Sequence, residues 1–373
     1  MSKLFTPIQL GGITLPNRIV IAPMCQYSAS DGTMDDWHMI HLGQLACSGA
    51  GMLVIEATGV TREGRISHGC TGIYSDDNEA AMKRVVDACR RIDAKMPIGI
   101  QLAHAGRKAS AQRPWEGGGA CREDESPWRT LSSSALPFGD GWHVPHEMSE
   151  ADIQRLVNDF ARAAVRVRRI GLDAIEMHSA HGYLMHQFLS PLANTRKDRY
   201  GGSLENRMRA PLEVAEALRA SWPKERCLGA RITASDWLEG GFEVADALIY
   251  ARKLKEIGFD YACVTSGGVV PHAKVKVGPG YQVPFAEQVK KGSGIATRAV
   301  GMIADPDQAE EILASGKADM VTLARGFLDN PRWVWHAAEK FGAKLDYPPQ
   351  YARSHPSLWP GAKIARPQET AAA

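Results

Sequence analysis

Eight short runs of mostly apolar, often β-branched residues recur along the chain, and most lead into a segment of helical periodicity. They are "RIVIAPM" (18–24), "GMLVIEAT" (51–58), "IGIQLAH" (98–104) and "LDAIEMH" (172–178), then "CLGARIT" (227–233), "FDYACVT" (259–265), "GIATRAVG" (294–301) and "ADMVTLAR" (318–325). Their apolar character is nearly continuous rather than alternating, as expected of parallel strands covered on both faces. The helical pattern is clearest at 150–170. There Ile153, Leu156, Val157, Phe160, Ala164 and Val167 recur at three- and four-residue steps behind a Ser149/Asp152 cap. "ADALIYARKLKEIG" (245–258) and "DPDQAEEILASG" (305–316) repeat the pattern, and each closes on glycine. Eight strand–helix alternations in 373 residues predict a single (β/α)8 barrel. An open doubly wound sheet would carry a GxGxxG turn after its first strand, and none is there.

One segment breaks the rhythm. Residues 105–148, rich in Gly, Pro, Ser and Trp, stand between the third strand and its helix, too long for a plain connection, and predict a lid over the barrel mouth. The barrel then occupies 1–355, and 356–373 reads as a poorly ordered C-terminal tail. Lys and Arg number 44 against 42 Asp and Glu and form no sustained block, so nothing favours nucleic acid as a partner. No run approaches the ~18 apolar residues of a membrane span, and the first residues resemble no secretory or transit segment. Seven cysteines, scattered singly without a CxxC, read as reduced thiols in a cytoplasm rather than a disulfide frame or Cys-rich metal site.

In such barrels chemistry sits at the C-terminal ends of the strands. Here those ends deliver Cys25 and Tyr27, Ala57 and Thr58, Gln101 and His104, then His178, His181 and Tyr183, then Arg231, Gly301 and Arg325-Gly326. The HxxH of His178 and His181 admits three readings: a metal site, a clamp on an anionic transition state, or a buried turn. A metal needs three or four ligands, yet "PMCQY" stands where barrel hydrolases put paired histidines, and there is no HExxH. A second HxxH, His38 and His41 in "DDWHMIHLGQLA", reads as structural, at the start of a helix, partly buried and hydrogen-bonded. What separates His178 and His181 is a strand end with Tyr183 beside it. Two imidazole N–H groups on one oxygen suit a carbonyl becoming an enolate, and a phenol can protonate carbon. Gly301 and Arg325 suit a phosphate, and Gln101 with Arg231 the polar edge of a flat ring. Together these suggest FMN acting on a carbonyl substrate.

The segments "NRIVIAPMCQYSA", "WHMIHLG", "QLAHAGRKAS", "RPWEG", "EMHSAHGYLMHQFLSPLANTRKDRYGGSLENR", "AVGMI" and "PPQYARS" carry a resemblance over about residues 3–355. The chain resembles the Old Yellow Enzyme family of FMN-dependent ene-reductases. It is most similar to the bacterial subgroup of xenobiotic reductases and YqjM-like enzymes, which Cys25 within "PMCQY" specifies. The resemblance implies noncovalent FMN, with Pro23, Met24 and Cys25 along the isoalloxazine and the Cys25 thiol tuning its potential. It puts Ala57 and Gln101 on the pyrimidine side, Arg231 at the N1/C2 edge, and Gly301, Arg325 and Gly326 on the phosphate. His178 and His181 would clamp the substrate oxygen, Tyr183 would donate the proton, and Tyr27 would line the pocket. The implied reaction passes hydride from NADPH or NADH to FMN, then from flavin N5 to the β-carbon of an enone, with maleimides and nitro compounds as further substrates. "PPQYAR" implies a homodimer or homotetramer in which an extended C-terminal arm carries Arg353 into a neighbouring active site.

Two positions depart from the family. Ala324 stands where relatives usually place glycine before the arginine, and Met302 where some xenobiotic reductases carry tryptophan. Other readings stay open. A dienoyl-CoA reductase- or trimethylamine dehydrogenase-like flavoenzyme would need extra domains and an iron–sulfur cysteine cluster. A flavin-free phosphate-binding isomerase or aldolase would share the barrel but give colourless protein. A non-catalytic binding barrel fits poorly with Tyr183 and both histidines.

Overall fold

The computed structural model describes residues 2–365. Its centre is a closed barrel of eight parallel strands. These are β1 (Ile19–Ile21), β2 (Met52–Gly59), β3 (Ile98–Ala103), β4 (Ala174–Ser179), β5 (Cys227–Thr233), β6 (Tyr261–Thr265), β7 (Ala296–Ala299) and β8 (Met320–Leu323). Each is followed by a main helix: α1 (Asp36–Ala46), α2 (Asp76–Ile92), α3 (Glu150–Ile170), α4 (Leu204–Ser221), α5 (Val244–Ile257), α6 (Val283–Ser293), α7 (Pro306–Ala314) and α8 (Trp333–Lys340). The barrel closes where Val321, Thr322 and Leu323 of β8 pair with Ile19, Val20 and Ile21 of β1. Ser149 caps α3 through the backbone N–H of Asp152, and Gly258, at φ +104°, ends α5 as its glycine predicts.

Three strands are shorter than their sequence runs. The chain leaves the ladder before Cys25, Gly301 and Arg325, and that departure turns those residues to the mouth; Arg325 opens a short helix, Arg325–Asp329. An N-terminal hairpin, Ile8–Leu10 with Ile13–Leu15, was not expected from the sequence. Its Leu10 and Leu15 pack on Val20, Met52, Val54 and Met320, filling the closed end of the barrel. A second, larger core lies between strands and helices. One end of the barrel is therefore plugged by hydrocarbon, and polar groups gather at the other.

The insertion at 105–148 holds three 3-10 turns and a two-residue parallel pair, Leu131–Ser132 with His146–Glu147. Trp115 meets the Tyr27 ring edge-on at 5.9 Å, so the segment borders the mouth as expected of a lid. The C-terminal arm corrects the expectation of extended chain. Pro349–Ser354 form a 3-10 turn, Tyr347 stacks on Trp335 of α8 at 3.9 Å, and Arg332 lies 5.0 Å over Tyr351. Prolines 348 and 349 do block an α-helix, but proline also opens a tight turn well, and the aromatic rings find partners on the same chain. Of the tail expectation at 356–373, residues 366–373 lie outside the described residues, while Ala362–Ala365 form a short helix with Ala362 buried. No helix among the described residues is long and apolar enough to cross a membrane.

Candidate active site

β4 ends in a turn that brings three site residues together. His181 holds φ +58° and Gly182 φ +74°, a left-handed pair that an L-side chain at position 182 could not share, since a Cβ there would lie 2.0 Å from the Gly268 carbonyl oxygen. The turn is held from below. The Gly182 N–H donates to His186 Nδ1 at 2.8 Å, and His186 Nε2 lies 3.0 Å from a fully buried Asp236. Tyr183 then caps the helix Leu184–Leu189. The His178 ring stands edge-on to both neighbours, with centroids 5.3 Å from His181 and 4.9 Å from Tyr183.

Hydrogen bonds assign the tautomer of His178 and are compatible with the complementary one at His181. His178 Nδ1 accepts the Ala180 N–H at 3.2 Å, which leaves the proton on Nε2. His181 Nε2 lies 2.9 Å from the Thr265 hydroxyl, which itself accepts from Gln282 Nε2 at 3.2 Å. With the Thr265 hydroxyl donating to His181 Nε2, the His181 proton sits on Nδ1; the hydroxyl can also accept from both partners. Burial, then the charges of Arg231 and Lys108, keep both imidazoles well below their ordinary range and therefore neutral. Burial, with Cys25 and Tyr27 nearby, pushes the Tyr183 phenol up, so it keeps its proton. The cluster offers two neutral N–H donors and one protonated phenol.

Arg231 is the register partner of His178 across β4 and β5. Its Nε is buried without a hydrogen-bond partner among the described residues. A cavity of about 1100 Å³ joins Arg231 and His181 to Gly301, Met302, Ala324, Arg325 and Gly326. Gly301 has φ +109°, and a Cβ there would press on Gln282 at 3.1 Å. Met302 is left-handed at φ +50° and exposed. Pro23, Met24, Cys25 and Tyr27 form a half-buried run after β1 and are not among the cavity's lining residues, with Tyr27 at φ +53°. Backbone strain at Tyr27, His181 and Met302 thus gathers at the mouth. Ala57 and Gln101 are register partners on β2 and β3. Gln101 Nε2 donates to Glu176 at 2.7 Å, and its amide oxygen accepts from no group among the described residues. Glu176 is buried against Arg298 and the Tyr261 hydroxyl. Arg353 is exposed and does not line the cavity.

Comparison with known proteins decides the family. Residues 3–343 match the NADH:flavin oxidoreductase / NADH oxidase family. The chain belongs to this family. It is 45% identical over 352 residues to an NADPH dehydrogenase of Geobacillus thermodenitrificans, covering 94% of this chain and 98% of that one. An NADPH dehydrogenase of Listeria innocua is 40% identical, covering 95% and 99%. Among solved structures, morphinone reductase in complex with tetrahydroNAD superposes with a TM-score of 0.74 at 30% identity, over 94% of each chain. The Old Yellow Enzyme homologue from Zymomonas mobilis gives 0.76 at 25%, over 92% of this chain and 94% of that one. The protein is an FMN-dependent NAD(P)H oxidoreductase of the Old Yellow Enzyme type.

The residues fit that cofactor. Arg231 lines the cavity with its Nε unpartnered among the described residues, and Arg325 adds a second cation beside the glycines at 301 and 326. The free oxygen of Gln101 suits an N–H on a pyrimidine edge.

Three further groups escaped the sequence reading. Lys108, in the first turn of the insertion, donates to the carbonyls of His181 (2.9 Å) and Gly268 (3.0 Å), and its Nζ lies 5.1 Å from the Tyr183 centroid. Burial and Arg107 lower its pKa to about 8. Thr265 and Gln282 hold the His181 Nε2 edge of the ring. Glu176 and Arg298 form an ion pair inside the barrel. Lys108 stands within the family-like "QLAHAGRKAS", which was the one signal available; the others are ordinary residues in buried strands and a helix start.

Proposed function

We propose that this oxidoreductase reduces the activated C=C bond of α,β-unsaturated carbonyl compounds, enones foremost, with maleimides and nitro compounds as further substrates. The observation that carries the reading is the meeting of two neutral imidazole N–H groups and a protonated phenol at the end of β4, with His181 on the cavity wall. His178 Nε2–H and His181 Nδ1–H bind the carbonyl oxygen and stabilise the negative charge that develops there, each worth roughly 2–4 kcal/mol of barrier by analogy with oxyanion-hole donors. Tyr183 delivers its proton to the α-carbon, and solvent restores it. When bound, FMN would supply the redox chemistry, hydride transfer between the nicotinamide and the β-carbon of the substrate. Pro23, Met24, Cys25, Ala57, Gln101, Arg231, Gly301, Arg325 and Gly326 hold it noncovalently, and Tyr27 lines the substrate side. Cys25 tunes the potential through its thiol, which burial, Cys70 and Glu56 keep protonated. Denatured protein should release FMN, and cyclohexenone should be turned over to cyclohexanone with NADPH. FAD or a covalent flavin would contradict the cofactor assignment, and NADPH oxidation by oxygen alone, with no saturated ketone, would contradict the substrate class.

We further propose a homodimer or homotetramer in which Arg353 serves a neighbouring active site. Its support is the family-like "PPQYAR" and an exposed Arg353 on a turn whose tyrosines pack on α8. Arginine suits the role because its planar fork keeps its charge beside a flavin edge or substrate oxygen. Arg353→Ala should then alter NADPH or enone affinity in an intact oligomer. A fully active monomer in analytical ultracentrifugation would exclude a required role.

A further inference from the structure

β2 is buried along all eight residues, yet it carries a carboxylate, Glu56, only 4% exposed. Burying that group is costly unless it is hydrogen-bonded, so its partners should reveal its use. The pairing of β2 with β3 shifts register between Ile55 and Ala57, and Glu56 sits in that irregularity. Its Oε2 accepts the backbone N–H of Gln26 at 3.0 Å. Its Oε1 lies 3.4 Å from His38 Nε2. On its other side His38 Nδ1 lies 2.8 Å from Asp35 Oδ1 and 3.1 Å from the Asp35 backbone N, so the ring stands between two carboxylates. Burial opposes a charge on His38, but Glu56 and Asp35 on either side raise its pKa nonetheless.

Gln26 follows Cys25 directly. β1 ends at Ile21, and the last ladder-like bond runs from Ala22 N to Leu323 O at 2.9 Å, so the chain beyond has no strand to hold it. Side chains take over. Gln26 Nε2 donates to Met24 O at 2.8 Å, Gln26 Oε1 accepts Trp37 Nε1 at 3.0 Å, and Glu56 takes the Gln26 N–H. Tyr27, next in line, is left-handed. We infer that Glu56, held by His38, is a positioning residue that fixes Cys25 and the strained turn behind it by accepting the Gln26 N–H. The inference rests on the reading that Cys25 lies along the flavin. It gives the His38 motif a function that spacing alone does not reveal, and it makes the α1–β2 contact part of the active-site scaffold.

The test uses holoenzyme and two readouts besides turnover: the rate of Cys25 alkylation by iodoacetamide and the flavin midpoint potential. Glu56→Ala should change the alkylation rate about tenfold, the scale of one lost charge-assisted hydrogen bond, and should shift the potential. Glu56→Gln keeps an oxygen for the Gln26 N–H and should stay within about twofold of wild type. In a Cys25→Ala background, Glu56→Ala should move the potential no further, because coupled residues are not additive. An unchanged alkylation rate in Glu56→Ala, or the same potential shift in both backgrounds, would overturn the inference and leave Glu56 a plain pin between α1 and β2. If Glu56→Ala does not fold, Glu56→Asp withdraws the oxygen by one methylene and must show the altered alkylation; a wild-type rate there overturns it equally. A potential insensitive to Cys25→Ala would sink the tuning role of Cys25, while the alkylation rates would still decide for or against Glu56.

Discussion

The chain carries two histidine pairs at the same HxxH spacing, His38/His41 in α1 and His178/His181 where β4 ends. On a helix, three residues bring both rings to one face, and α1 buries that face. His38 lies between two carboxylates, Asp35 and Glu56. His41 is buried, and desolvation with His38 beside it lowers its pKa to about 4. At the end of β4, one histidine belongs to the strand and the other to a left-handed turn, and the rings meet edge-on at an open cavity. Their charged neighbours are cations, Arg231 and Lys108. Carboxylates raise the pKa of His38 and favour its charged form, whereas cations and burial keep His178 and His181 neutral with an N–H to offer. The spacing is shared; the backbone and the sign of the surrounding charge differ.

The largest expected contrast is catalytic. His178→Ala or His181→Ala should slow enone reduction by about 10²–10³ each, the cost of an oxyanion-hole donor, with FMN still bound. His41→Asn should change thermal stability and leave kcat/KM near wild type. Equal losses in both pairs would erase the distinction. Tyr183→Phe comes next: reoxidation of reduced enzyme by enone should slow about 10²-fold, while reduction by NADPH keeps its rate in stopped flow. A smaller effect should follow from Thr265→Val. Removing the hydroxyl bonded to His181 Nε2 should cost about tenfold in enone turnover, and a wild-type rate would show that this bond does not orient His181 for the reaction.

The least conspicuous contrast is in pH dependence, and its signs are opposite for the two histidines of α1. His41 has a folded pKa lowered from 6.5 to about 4, so the unfolded chain binds the proton first and stability falls as pH drops from 6.5 toward 4. His38 has a raised folded pKa, so its contribution is fully present below 6.5 and is lost as pH rises through the folded value. Denaturant melts across pH should find His41→Asn less acid-sensitive than wild type. His38→Asn should be most destabilised at acid pH. Parallel profiles for the two variants would contradict the assignment of opposite charge states.

Much of this was legible in the residues. Continuous apolar runs at regular spacing announced the barrel, because parallel strands buried on both faces need them. Listing the strand ends found His181, Arg231, Gly301 and Arg325, which one cavity joins. The N-terminal hairpin was missed although "GG" between apolar runs is a turn signal; three-residue strands fall below the length at which alternation is readable. The arm was misread because proline excludes an α-helix without choosing between extended chain and a 3-10 turn. Glu56, Glu176 and Arg298 were invisible because a charge inside an apolar run has meaning only once register supplies its partner. Lys108 was hidden in an insertion whose first turn packs under a loop 160 residues later in the chain.

The central claim is that His178 and His181, unlike His38 and His41, hold an oxygen of the substrate. Titration of the oxidised enzyme with p-hydroxybenzaldehyde, a phenol of which one oxygen can sit between two N–H donors, tests this through the flavin spectrum. Loss of either donor should raise Kd by about tenfold or more in His178→Ala and His181→Ala, the scale of a hydrogen bond to a charged oxygen. His41→Asn should bind as wild type does. Unchanged Kd in both β4 variants, with flavin bound and the fold intact, would contradict the account.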